Sequence, residues 1–148
     1  MEQTNKIKAK VGILIRNGDS LLVHNVLSSE KEREIIRPPG GHIEYGEFSK
    51  DAVEREMKEE INARLTNLIL LGSLENIFND PEGKTHHEII FVYSAEFEDK
   101  RFYEKEVIEA KEIDGSNFNM FWIKTNDILT GTAKFVPRGM ENFVKMLS

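Results

Sequence analysis

Apolar residues in this chain gather in short runs separated by turn chemistry, and in one stretch they recur instead at helical spacing. Val11 to Ile15 and Leu21 to Val26 flank Asn17-Gly18-Asp19, a turn whose glycine can take the positive φ of a tight hairpin, so two antiparallel strands are predicted. Leu65 to Leu74, extended by Glu75 to Phe78, and His87 to Phe97 form a second pair of runs around Asp80-Pro81-Glu82-Gly83-Lys84. Phe118 to Lys124 is a shorter strand pattern holding the sole tryptophan, Trp122. An aromatic residue there is expected in the core, with stacking on a base as the alternative.

Between the hairpins the period changes. Val53, Met57 and Ile61 make an apolar stripe, Glu56, Glu59 and Glu60 fall within one adjacent arc, and Glu54 points away from it. A helix is predicted from Lys50 to Ile61, with Ser49 as N-cap and Phe48 packing on Val53 as a hydrophobic staple. Asn62 then suits the left-handed residue that ends many helices. Thr125-Asn126-Asp127 reads as the cap of a short helical turn, and Pro137 to Leu147 as an amphipathic helix with Phe143, Val144 and Leu147 inward. Met1 to Lys6 reads as a loose polar start, Ser28 to Glu34 as a charged loop, and Lys100 to Asn117 as a mobile loop or short helix. Strands around a central helix, followed by another helix, argue for a layered mixed α/β domain.

Composition narrows the classes. The 148 residues suit one domain, 1–148, and carry a formal charge of −6 from 20 basic and 26 acidic side chains. Such a balance disfavours general nucleic-acid binding, which draws on Lys and Arg. Cysteine is absent, which excludes disulfides and thiolate zinc sites and agrees with a reducing compartment. With no long apolar run and no signal-peptide core, a soluble, cytoplasmic protein without a membrane partner is expected.

Taken alone, Glu56-x-x-Glu59-Glu60 is more often a solvated helix face than a site. Carboxylates on adjacent turns repel, however, and a hard divalent cation would relieve them while its remaining positions take water and phosphate oxygens. The preceding Arg37-Pro38-Pro39-Gly40-Gly41 allows the backbone close to a ligand. Arg55 and Glu59 make an i,i+4 pair, of little worth on a surface, but in a crowded acidic site an arginine fork could orient two carboxylates. His86 and His87 point to opposite sides of a strand and suit no joint metal site. Arg16 and His24 read as solvated, with substrate contact the lesser alternative.

Gly41, Glu47, Arg55, Glu56, Glu59 and Glu60 stand in the order G-x5-E-x7-R-E-x-x-E-E. This resembles the Nudix box, G-x5-E-x7-R-E-U-x-E-E-x-G-U, with Asn62 in place of the second glycine and Ala63 as a small final apolar residue. The resemblance implies the Nudix α/β/α sandwich with a mixed β-sheet. It also implies divalent-metal-dependent cleavage of the pyrophosphate bond of a nucleoside diphosphate linked to another moiety. Metal ligands would be Glu56 and Glu60, with Glu59 a third ligand or a water-activating group and a carbonyl of Gly40 or Gly41 completing the set. The catalytic residues would be Glu59, Glu56, Arg55 and Glu47, the last two stitching loop to helix. A later acid, from Glu104, Glu106, Glu109 or Glu112, would join them. The ion would be Mg²⁺, with Mn²⁺ as substitute. Nucleoside triphosphates, nucleotide sugars, ADP-ribose and dinucleoside polyphosphates are the implied substrates, a capped RNA end is the one nucleic-acid exception, and a homodimer is compatible. The alternative is a non-catalytic nucleotide-binding or sensor module on the same fold.

Overall fold

The computed structural model describes residues 5–26 and 35–147. The proposed loop at Ser28 to Glu34, and most of the loose start at Met1 to Lys6, lie outside them. In chain order the elements are β1 (Ile7–Asn17), β2 (Ser20–Asn25), β3 (Ile35–Arg37), β4 (Gly40–His42), α1 (Ser49–Ile61), β5 (Leu65–Asn79) and β6 (Thr85–Phe97). After a 3₁₀ turn at Lys100–Glu104 come β7 (Val107–Lys111), β8 (Asn117–Lys124), α2 (Thr125–Leu129), β9 (Lys134–Phe135) and α3 (Met140–Lys145). None of the helices among the described residues is long and apolar enough to cross a membrane.

β1 organises the sheet. Its apolar residues face both ways: Val11, Ile13 and Ile15 join one buried cluster with Ala52, Val53 and Met57 of α1, while Leu14 joins a second with Ile128, Met140 and Val144 of α2 and α3. A strand buried on both faces has to sit in mid-sheet. Accordingly β1 runs parallel to β6 from Ile7 opposite His87 to Ile15 opposite Ala95, and antiparallel to β4 at Lys10 to Gly12. The predicted β1–β2 hairpin pairs only at its tip, at Arg16–Leu21 and Asn17–Ser20. Beyond that β2 turns to β8 and β3. The sheet is mixed, with α1 on one face and α2 and α3 on the other, which is the α/β/α sandwich expected.

Several local expectations need correction. Ser49 is the first residue of α1 and not its cap: its hydroxyl shares a 2.6 Å hydrogen bond with that of Tyr93. Phe48 takes the cap position, its carbonyl accepting from the Ala52 amide at 3.0 Å, and its ring is 80% exposed, so no staple forms. The stretch from Lys100 to Asn117 is no mobile loop. It contains β7, in which Ile108 and Ala110 are buried and Val107, Glu109 and Lys111 exposed, paired along β8. Trp122 stacks on Tyr103 and donates to the Lys105 carbonyl at 2.9 Å. The last helix is shorter than Pro137 to Leu147, though Val144 is buried and Phe143 and Leu147 pack on its cluster as expected.

α1 ends as its sequence implies. Asn62 is left-handed at φ 53°, ψ 39°, and its amide donates to Lys58 at 3.0 Å. Asn62→Gly should therefore be neutral or stabilising by under about 1 kcal/mol, because the left-handed cost falls on residues with a Cβ. A drop of several degrees in melting temperature would show that the amide side chain is itself required.

Candidate active site

Two glycines set the approach of loop to helix. A Cβ on Gly40 would lie 2.0 Å from the Val11 carbonyl oxygen, and one on Gly41 would lie 2.2 Å from the carboxyl carbon of Glu56. Space alone forbids a side chain at both positions. The Glu56 carboxylate is thereby pressed against the backbone of β4.

Arg55 fixes the acids around it. Its Nε and Nη2 donate to the two oxygens of Glu47 at 2.8 and 3.0 Å, and Nη2 also donates to the His42 carbonyl at 2.9 Å. Nη1 reaches Glu56 at 3.1 Å and Glu59 at 3.3 Å. The Glu44 carboxylate, largely exposed, stands 3.5 Å away. Glu47 also accepts from the Glu44 amide at 3.0 Å, and with the guanidinium this holds its carboxyl down at about 2. Such a two-point ion pair is rigid as well as strong.

Glu60 is the opposite case. Burial pushes its carboxyl up to about 8, helped by the charges of Glu56, Glu112 and Glu59 and opposed by Arg37. Its Oε2 is buried without a hydrogen-bond partner. Glu56 is 7% exposed and is raised by the same burial, with Arg55 pulling the other way. Glu56, Glu59, Glu60 and Glu112 all line a cleft of about 860 Å³ that also takes in Gly40, Gly41, His24, Arg37, His42 and Lys10.

Of the residues singled out from sequence, the cleft gathers Glu56, Glu59, Glu60, Arg55, Gly40 and Gly41, while Glu47 sits behind Arg55. Among the later acids it includes Glu112 and leaves out Glu104, Glu106 and Glu109; Glu54 is exposed and also outside. His24 is not solvated. Its ring is buried edge-on to Phe118, 5.1 Å between centroids, and burial with the nearby Arg37 and Lys10 charges lowers its pKa to about 4. Arg16 is exposed and donates to the Leu147 carbonyl. His86 bonds Asp80 at 2.9 Å and His87 stands 3.8 Å from Glu75, both outside the cleft. The cationic wall of Lys10, Arg37 and His42 was missed. Its signal was a lysine inside an apolar strand and an arginine directly before the Pro-Pro-Gly-Gly turn.

These groups suit a hard divalent ion. Among the described residues no three acid or histidine side chains close into a ready-made cage, but Mg²⁺ needs only one or two carboxylates beside water and phosphate oxygens. The unpartnered Glu60 oxygen and the Glu56 carboxylate supply them.

A family model described as the NUDIX domain matches residues 6–143. The fold resembles that of a NUDIX hydrolase from Nitrosomonas europaea, 20% identical with a TM-score of 0.61 over 90% of this chain and 82% of that one. It resembles equally the mutator MutT protein of Bacillus halodurans, at 21% identity and TM-score 0.62 over 94% and 80%. A NUDIX-family hydrolase from Clostridium perfringens is 24% identical, with TM-score 0.58 over 95% and 93%.

The raised Glu60 carboxyl has a stability consequence in metal-free protein. The native state keeps a proton that the unfolded chain, with an ordinary value near 4.5, gives up. The stabilisation is therefore whole below about pH 4.5 and lost progressively as pH climbs to about 8. Glu60→Gln should lack that decline, so the variant should gain on the wild type by roughly 2 kcal/mol or more by about pH 8. Parallel stability curves from denaturant titrations across this range would contradict the assignment.

Proposed function

The chain belongs to the NUDIX family and is a Nudix pyrophosphohydrolase, and from that premise we propose that it uses a divalent metal to cleave the pyrophosphate bond of a nucleoside diphosphate linked to another moiety. The observation that carries this reading is the partnerless, desolvated oxygen of Glu60 beside Glu56, in a cleft whose other wall is cationic. Acids crowded at a stability cost mark a functional site.

In this reading Glu56 and Glu60 hold the ion, Mg²⁺ or Mn²⁺, with a backbone carbonyl of Gly40 or Gly41 and with Glu112 as the later acid. A bound ion supplies charge withdrawal from the phosphoryl oxygens and a more acidic water. Glu59, its side chain 47% exposed and tethered by Arg55, is either a third ligand or the group that takes the proton of the attacking water. Arg55 and Glu47 position and do not react. His42 and Arg37 face the phosphate charge. The substrate is a small molecule of the triphosphate, nucleotide-sugar, ADP-ribose or dinucleoside-polyphosphate classes, met in the cytoplasm. Retention of all the helix acids weighs against a module that binds nucleotide without cleaving it.

A panel of those substrates with Mg²⁺ and Mn²⁺ should show metal-dependent cleavage of at least one, with solvent oxygen on phosphate when run in ¹⁸O-water. Glu56→Gln and Glu60→Gln should each cut turnover by about 100-fold or more, each removing charge from the site that would hold the ion. Glu54→Gln should stay within about twofold, as a surface change away from the site. Label confined to a sugar or base carbon would sink the mechanism, and a Glu54→Gln loss equal to that of Glu60→Gln would sink the site.

A further inference from the structure

One buried charge plays no part in the proposed chemistry. Glu88 of β6 is 8% exposed, and the only other buried polar or charged residues in the described chain are His24 and Glu56. Its neighbours in register are Lys8 on β1 and Asn76 on β5. One carboxylate oxygen accepts from the Asn76 amide at 3.1 Å, and the other lies 3.4 Å from the Lys10 ammonium. Lys10 lines the cleft, whereas Glu88 and Asn76 do not.

Stability alone gives a poor account of this group. A desolvated ion pair generally does no better than apolar residues of similar size, and here the pair is embedded among Ile89, Ile90 and Val92 of the same strand. What it does accomplish is to hold a long, flexible side chain in one orientation at the cleft wall. Glu88 engages one face of an ammonium that has three donors, and the others remain available for a ligand. The surroundings there favour an anion: Lys10 and Arg37 both act on His24, and Lys10 and Lys8 both act on His42, in each case disfavouring a further positive charge. The acids Glu56, Glu59, Glu60 and Glu112 line the same cleft. A phosphate chain engaged through metal at those acids still has oxyanions in need of donors.

We propose that Lys10 contacts phosphate oxygens of the substrate, and that Glu88, itself held by Asn76, is the positioning residue that keeps Lys10 directed into the cleft. The inference rests on the phosphoanhydride-hydrolase reading. Because Glu88 offsets much of the Lys10 charge, the contribution is directional hydrogen bonding, made to ground state and transition state alike. It belongs in KM more than in kcat.

The test uses Lys10→Met, Glu88→Gln, the double variant, and Lys8→Met as a neighbouring control, with the most rapidly cleaved substrate of the panel. Lys10→Met should raise KM about tenfold with kcat within about threefold, and Lys10→Arg should restore part of the loss. Glu88→Gln should raise KM about threefold in the wild-type background and not at all in the Lys10→Met background, since a residue acting only through Lys10 has nothing left to act on. Lys8→Met should leave KM unchanged. Calorimetric binding of inorganic tripolyphosphate, with and without Mg²⁺, should weaken in step with KM. An unchanged KM in Lys10→Met, or an equal Glu88→Gln effect in both backgrounds, overturns the proposal. Absence of turnover in the wild type would instead remove the hydrolase reading, and the tripolyphosphate affinities would then decide the role of Lys10 alone.

Discussion

The guanidinium of Arg55 is the constraint on which the geometry of the cleft depends. It closes a fork on Glu47, ties the loop through the His42 carbonyl and touches Glu56 and Glu59. Without it three acids and a glycine-rich loop would have no common reference point. With it the loop between β4 and α1 is fastened to the helix one turn from the acids that face the cleft. Arginine suits this post because its donors diverge in a fixed plane and its charge persists at any accessible pH. The depressed carboxyl of Glu47 measures how completely that partnership is satisfied.

Satisfaction at Glu47 is matched by frustration at Glu60. The two carboxyls lie on the same loop-helix unit, yet one is held down at about 2 and the other pushed up to about 8. The difference is the partner: one faces a guanidinium, the other is buried beside further acids. A carboxylate without a partner inside the protein is a standing cost, and the fold accepts it because β1, β6 and α1 pack tightly enough to over-determine the arrangement. Ala52, Val53 and Met57 bury α1 completely on its apolar side, so the acids cannot rotate away from one another. The glycines complete the constraint, since any side chain at position 41 would displace Glu56.

Local chemistry was legible in the sequence and tertiary partnership was not. The helix, its left-handed end at Asn62, the β5–β6 hairpin and the box acids all follow from spacing within a few residues. Ser49 illustrates the limit: a serine before a helix suits a cap, but the hydroxyl of Tyr93, forty-four residues away, takes it instead. β7 was hidden because Val107, Glu109 and Lys111 face out, leaving only Ile108 and Ala110 as an apolar signal among charges. His24 looked solvated because nothing local reveals that β2 leaves β1 for β8 and carries the ring onto Phe118. The Lys10–Glu88 pair needs the parallel β1–β6 register, which joins residues seventy-eight positions apart.

The most direct measurement is the proton count on metal binding. If Glu60 is a protonated acid awaiting a cation, Mg²⁺ titrated calorimetrically into metal-free protein, in buffers of differing ionisation enthalpy, should release about one proton per ion near pH 6.5. The release should fall towards zero by about pH 9, where the carboxyl has already ionised. Mg²⁺ binding with no proton release at the lower pH, or with a release that does not change across this range, would contradict a metal site built on the buried charge of Glu60.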